Sequence, residues 1–459
     1  MRSLTFAGIA ALTLAAVSGP ARADTLADAL VAAYENSGLL EQNRALLRAA
    51  DEDVAQAVAN LQPVIDYVVQ SQFTNVTGGD FASNVTTTAQ LSFELLLYDG
   101  GANRLGVDAV QETVLATRQS LLGIEQNVFF QAVSAYVGVR EARDIVAVRQ
   151  NNVGLISEEL RAARDRFDVG EVTRTDVALA ESRLAEARSE LAQAQGALTR
   201  AVEEYGRIVG REPGSLQAPS SLPQIPGSTD EAKGVALRTH PDIRASQRRI
   251  AAAELRVDQA EARLEPRISL QSSIQVDEDD LNDRFDPLES VGVIANGTIY
   301  QGGRLSSQIR QAMASRDAER GDLISIRRLV EADVGNAYAD LRSASASLVA
   351  TAEQIRAADI AFQGVREEAT LGARTTLDVL EAEQDLLDAR TLRISAEADQ
   401  VIAVYQVLQS MGLLTADHLG LGIQTYDPAA YYNLVNEGPA IMSEQGRALD
   451  RVLRAIGND

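Results

Sequence analysis

The stretch that decides the fold is "VGEVTRTDVALAESRLAEAR", Val169 to Arg188, because the chain says it again as "LGARTTLDVLEAEQDLLDAR", Leu371 to Arg390. Subtracting 202 from the later numbers places Leu371, Gly372, Thr375, Asp378 and Val379 on Val169, Gly170, Thr173, Asp176 and Val177. In each copy a glycine fit for a left-handed helix stop is followed by a threonine fit to cap the next helix. Neither role accounts for Asp176 or Asp378, which lie past the capping position, although acids in a first helical turn suit its dipole.

The echo extends outward. "LYDGG" at Leu97–Gly101 returns as "IYQGG" at Ile299–Gly303, and "ANLQP" at Ala59–Pro63 returns as "ARLEP" at Ala262–Pro266. Three matches in one order, two offset by 202 and the third by 203, indicate two duplicated halves, with a period far longer than a solenoid unit. The boundaries expected are a first repeat over 24–210, a linker over 211–232 holding Pro219, Pro223 and Pro226, a second repeat over 233–414, and a tail over 415–459. Residues 1–23 read as a secretory signal peptide: Arg2, an apolar run from Leu4 to Val17, and Ala21-Arg22-Ala23 as the cleavage motif.

Each half reads helix, two strands, long helix, glycine turn, helix. From Thr25 to Leu61 the pattern is helical and stops before Pro63. Ile65, Tyr67, Val69 and Phe73 then alternate with Asp66, Gln70 and Gln72, and Ala89, Leu91, Phe93, Leu95 and Leu97 alternate with polar residues. Strands are expected at about 64–74, 85–98, 267–277 and 290–300, with hairpin tips at 167–176 and 369–378. A two-faced strand is ordinarily half-buried in a soluble sheet. Here the export signal, the polar connecting loops and a length matching the roughly 9–11 residues that cross a bilayer when tilted favour a membrane sheet. Four strands cannot close a barrel, and open edges are not tolerated in lipid, so several chains must contribute.

The helices carry a second message. Gly101 to Phe167 reads as one helix, roughly 100 Å long at about 1.5 Å per residue. Val177, Leu184, Leu191, Leu198 and Tyr205 recur every seven residues, as in a coiled-coil seam. Further on, Leu380, Leu387, Ile394, Val401 and Leu408 form one stripe and Ala382, Ala389, Ala396 and Ala403 another, on nearly opposite sides of one helix. A helix in a wall one layer thick needs two such stripes.

Composition narrows the class. The formal charge is −23, so nucleic acid is repelled. There is no cysteine and there are only two histidines, His240 and His418, and no catalytic, cofactor or metal constellation emerges; the chain does not read as an enzyme. His240, before Pro241, reads as part of a helix start. The acidic run Asp277 to Asp283 lacks the glycine and the terminal Glu of a calcium loop and reads as a solvated loop. Tyr98 and Tyr300 close strands, where either interfacial aromatics or ordinary strand-end packing would place them.

The duplicated halves, "YDGG" opening a long helix and the paired tips resemble the TolC family of outer-membrane efflux proteins over nearly all of Asp24 to Leu414. The first tip and "YDP" at Tyr426–Pro428 are most similar to the type I protein secretion branch. The resemblance implies a mainly α fold with a transmembrane β-barrel portion: a homotrimer whose twelve strands close in outer-membrane lipid and continue as a long periplasmic α-barrel. It implies an exit duct served by a periplasmic adaptor and an inner-membrane ABC or proton-driven transporter, with protein secretion first and multidrug efflux as the alternative. Val169, Gly170, Thr173, Leu371, Gly372 and Thr375 match the adaptor-contact tips, Asp176 and Arg374 the gate salt bridge, and Asp378 with Glu381 the acidic constriction. The family's aromatic hydroxyl three residues before Gly372 is replaced by Ala369, while Phe167 holds the equivalent place in the first tip, which implies a looser resting gate. The rival of another class, a soluble periplasmic coiled-coil adaptor, lacks paired bilayer-length strands in each half.

Overall fold

A computed structural model describes residues 24–75, 83–219, 221–279, 284–438 and 443–456. Residues 1–23, expected to be a signal peptide, and residues 280–283 of the acidic run lie outside the described residues. The duplication is visible in helix lengths. Helices α1 (Leu26–Asn36) and α5 (Thr229–Thr239) have 11 residues each, α2 (Gly38–Ala59) and α6 (Pro241–Ala262) 22 each, and α3 (Ala102–Asp168) and α7 (Arg304–Thr370) 67 each. The returning helices α4 (Arg174–Val209) and α8 (Thr376–Ser410) have 36 and 35.

One expected helix is two. The chain breaks at Ser37, whose extended backbone (φ −72°, ψ 106°) caps α2 through a side-chain bond from the Leu40 N–H. Asn36 stabilises the break by donating its amide to the carbonyls of Ala32 and Val209. The signal was "NSG", three residues that favour caps and turns. In the second half His240 takes the same place and accepts from the Asp242 N–H through Nδ1, with Pro241 at the first helical position.

Strands β1 (Val64–Asn75), β2 (Ser83–Tyr98), β3 (Arg267–Asp279) and β4 (Arg284–Asn296) form one antiparallel sheet in that order. The fourth strand corrects the sequence reading: it covers 284–296 rather than 290–300, and Tyr300 falls beyond it. The ladder ends where Asn296 meets Arg267, because the preceding residue is Pro266, which has no N–H to extend it.

In the helical part, α3 packs on α4, α6 and α8, and α8 packs on both α3 and α7. Both stripes of α8 are buried, with Leu380, Leu387 and Leu408 from one and Ala389, Ala396 and Ala403 from the other. One core joins the halves at the level of α1 and α5, around Phe129, Tyr136, Tyr205, Val334 and Leu408. Tyr136 and Tyr338 are 202 residues apart, and each hydroxyl bonds a linker carbonyl, Gln217 at 2.7 Å and Pro226 at 2.8 Å. After α8 come α9 (Ala416–Leu419), α10 (Tyr432–Val435) and α11 (Glu444–Ile456). This tail straps α1 and α2: the Tyr426 N–H donates to the Tyr34 hydroxyl of α1, and the Arg44 guanidinium of α2 lies over both rings.

Candidate functional site

The two tips are built alike, atom by atom. In the first, the N–H groups of Gly170 and Glu171 bond the carbonyls of Phe167 and Arg166 at 3.0 and 2.9 Å; in the second, those of Gly372 and Ala373 bond Ala369 and Glu368 at 3.1 and 2.9 Å. This six-to-one closure needs a left-handed residue, and Gly170 (φ 81°) and Gly372 (φ 76°) supply it. Thr173 and Thr375 then cap α4 and α8.

Here the structure answers what the sequence left open about the aspartates. Asp176 Oδ2 accepts from the Thr173 N–H and hydroxyl, both at 2.8 Å, while the Asp176 N–H donates back to Thr173 Oγ1 at 3.3 Å. Asp378 and Thr375 repeat this at 2.8, 2.8 and 3.2 Å. These are reciprocal capping boxes, with Asp in the place usually filled by Glu or Gln. The bonds from Thr375, with Arg374 contributing less, hold the Asp378 carboxyl below the usual carboxylate range.

Arg374 and Asp176 line one hollow between the tips with Arg166, Glu171 and Thr375. The Arg374 guanidinium nevertheless bonds Glu368 Oε2 of its own hairpin at 2.8 Å, so within this chain its partner is Glu368 and not Asp176. Val169 and Leu371 stand out at the apices, 71% and 83% exposed. Glu381 is exposed on the first turns of α8.

Below the tips the hairpins meet along α3 and α8. Asn152 Nδ2 donates to Glu383 Oε1 at 3.1 Å, and both residues are only 4% exposed. Burial, with a smaller push from Glu159, raises the Glu383 carboxyl to about 7. Beside them Arg366 of α7 reaches Glu159 of α3 at 3.9 Å. Sequence reading passed over this pair, although the signal was there: Glu383 interrupts the apolar stripe between Leu380 and Leu387, and Asn152 precedes Ile156 and Leu160 on the buried side of α3.

At the other end, the register sorts the sheet into two faces. One carries Ile65–Phe93–Ser272–Val291, Tyr67–Leu91–Ile274–Glu289 and Val69–Ala89–Val276–Pro287 in rows, and Leu95–Leu270–Val293 continues it. The other carries Asp66–Ser92–Ser273–Ser290 and Gln70–Thr88–Asp277, with Arg267 paired to Glu94 at 3.1 Å. A bulge after Leu96 drops Leu97 from the ladder and sets Tyr98 opposite Ile268, at the end of the apolar face. Tyr300 is 85% exposed and belongs to no strand. Among the described residues no helix is long and apolar enough to cross a membrane, and no group of three potential metal ligands occurs.

Duplicated halves with these tips and this sheet have relatives. The profile of the outer membrane efflux protein family matches residues 29–211 and 234–413. The chain belongs to that family. It is 37% identical to the outer membrane efflux protein BepC of Brucella suis over 421 residues, 91% of each chain. It is 24% identical to the alkaline protease secretion protein AprF of Pseudomonas aeruginosa, over 74% of this chain and 72% of that one. In fold it matches the CmeC outer membrane channel of Campylobacter jejuni, with TM-score 0.75, 14% identity, and 96% and 98% of the two chains covered. The family, also that of TolC, is one of outer-membrane channels, and this protein is an outer-membrane member with a long helical periplasmic part.

Proposed function

We propose that this chain is the exit duct of a three-part export machine, passively conducting cargo from an inner-membrane transporter, ABC-type or proton-driven, through a periplasmic adaptor to the exterior. The observation that carries the reading is the sheet: apolar on one face, polar on the other, and open at both β1 and β4. Unpaired edges are not tolerated in lipid, so the edges must meet those of other copies. The order β1-β2-β3-β4 lets β4 of one copy run antiparallel to β1 of the next, and three copies make a barrel of twelve strands, which is the homotrimer. Exposed apolar residues on the edge helix α7, among them Leu329, Val349 and Ile360, give the helical wall the same need for a neighbour.

At the inner end, the apolar apices around Val169, Gly170 and Thr173, and Leu371, Gly372 and Thr375, are the surface offered to the adaptor. Asp378 and Glu381 line the constriction, where repeated across copies they form an acidic ring that favours cations. Arg374 and Asp176, at one hollow, form the gate bridge in the resting assembly. For cargo, protein secretion is the first reading, supported by the secretion role in AprF's name and by the tip and "YDP" likeness. Efflux of small molecules is the second, supported by the higher identity to BepC.

Conductance across a planar bilayer tests the duct and its gate together, with wild type beside Arg374→Ser. The expected outcome is small cation-selective steps for the wild type and larger steps for the variant. Equal small steps would remove the gate assignment, and a folded protein that never conducts would remove the duct. Deleting the gene in its host and assaying both secreted protein and drug sensitivity decides the cargo.

A further inference from the structure

The Asn152–Glu383 contact is chemically half finished. One hydrogen bond joins Asn152 Nδ2 to Glu383 Oε1, while Asn152 Oδ1 and Glu383 Oε2 are buried without any partner. With an ionised Glu383 these leftover atoms are both acceptors, and neither can satisfy the other. A proton on Oε2 converts one into a donor for the other, and a carboxylic acid facing a carboxamide can then close a ring of two hydrogen bonds. We infer that Glu383 is held as the neutral acid and closes such a ring with Asn152, fastening α8 to α3, and that loss of its proton loosens the seam between the two hairpins.

The surroundings favour the neutral form. The pair lies under an apolar cluster that includes Ile156, Leu160 and Leu380, where a carboxylate with a single hydrogen bond is costly. From α3, Glu159 adds a like charge; from α7, Arg366 opposes it, and its contact is with Glu159 rather than with Glu383. Because the hairpins belong to opposite halves of the duplication, this seam is where they would part on opening. That use of the ring rests on the duct reading above.

The direction with pH follows. In the closed seam the acid holds its proton up to about 7, against 4.5 for the ordinary group. Closure therefore takes up a proton between those values, and the open-to-closed ratio rises with pH by up to roughly tenfold per unit in that window and levels off above it.

The chain has no cysteine, so spin labels can be placed on Asn151→Cys of α3 and Asp385→Cys of α8, both exposed positions. Label distances and channel conductance are read from pH 4 to 8.5 in this background and with E383Q added, whose amide can make both bonds without titrating. The expected result is a distance distribution that broadens as pH rises through the window, and one that stays narrow throughout in E383Q. An unchanged distribution across the window, or an E383Q profile that follows the parent, overturns the ring while any conductance leaves the duct standing. Distances that behave as expected in a protein that never conducts uphold the ring and remove the duct.

Discussion

Helices α3 and α7 are copies of one element with different fates. Both have 67 residues, both start after a left-handed glycine pair, and both end in the same turn. Yet α3 buries nineteen residues and α7 six, and four of those six, Val330, Val334, Ala337 and Tyr338, sit 202 residues from the buried Val128, Ala132, Ala135 and Tyr136. Duplication preserved the central core and the turns. What differs is the number of neighbours: α3 packs on α1, α2, α4, α6 and α8 within the chain, while α7 packs on α8, α6 and α5 and leaves Leu329, Val349 and Ile360 outside. On the proposed duct, α3 is the finished helix of each copy and α7 the one that waits for a neighbour.

The largest effect that sharpens this contrast is in the core. Phe129 is fully buried and stacks on Tyr34, so Phe129→Ala should cost about 3–5 kcal/mol of stability. Leu329→Ala on α7, 61% exposed, should cost under about 0.5 kcal/mol in a dissociated chain. Denaturant unfolding of dissociated and assembled protein checks both. A cost at Leu329 that appears only on assembly confirms a covered face, whereas equal small costs in both states break the idea of a waiting helix.

A second pair tests how far the halves diverge at the junction of sheet and helix. Gly100 and Gly302 hold equivalent places with φ of 67° and 59°. A Cβ on Gly100 would lie 2.7 Å from the Glu265 side chain and 2.8 Å from the Ala262 carbonyl, whereas one on Gly302 would meet nothing within 4 Å. Gly302→Ala should therefore cost only the left-handed backbone penalty of about 1–2 kcal/mol, and Gly100→Ala distinctly more. Equal losses would mean that α6 yields at Ala262 and that its contact with the start of α3 is loose.

The elements legible in the sequence are those whose causes are local. The tips could be read because a left-handed glycine and a capping threonine declare themselves within eight residues, and the duplication doubles the signal. The bulge at Tyr98 and the end of β4 were not legible, because each depends on a partner strand: Ile268 for the one, and Pro266 beside Arg267 for the other. Asp176 and Asp378 have no structural account in the sequence alone, since a capping box is ordinarily sought with Glu or Gln, and the structure supplies one. Asn152 and Glu383 lie 231 residues apart, and each looks alone like a flaw in an apolar stripe.

The smallest expected effect on folding is the most informative about the two tips. Arg374 has no counterpart at the matching place of the first hairpin, where Val172 stands, while the first hairpin has its own arginine at Arg174, where the second has Thr376, so the two tips carry their cations at different places. In this chain Glu368 holds it, and both side chains are about half exposed, so breaking the pair should leave the unfolding midpoint unchanged. The functional consequence is different. If Arg374 bridges to Asp176 in the closed assembly, Glu368 competes for the same guanidinium, and Glu368→Gln should favour the bridge and reduce single-channel conductance below wild type. Arg374→Ser should raise conductance, and the double variant should behave as Arg374→Ser alone, because a competitor has nothing to compete for once the cation is gone. A Glu368→Gln channel that opens wider than wild type reverses the assignment: Glu368 itself would then be the closing partner, and the asymmetry between the tips would reside in one hairpin rather than between two.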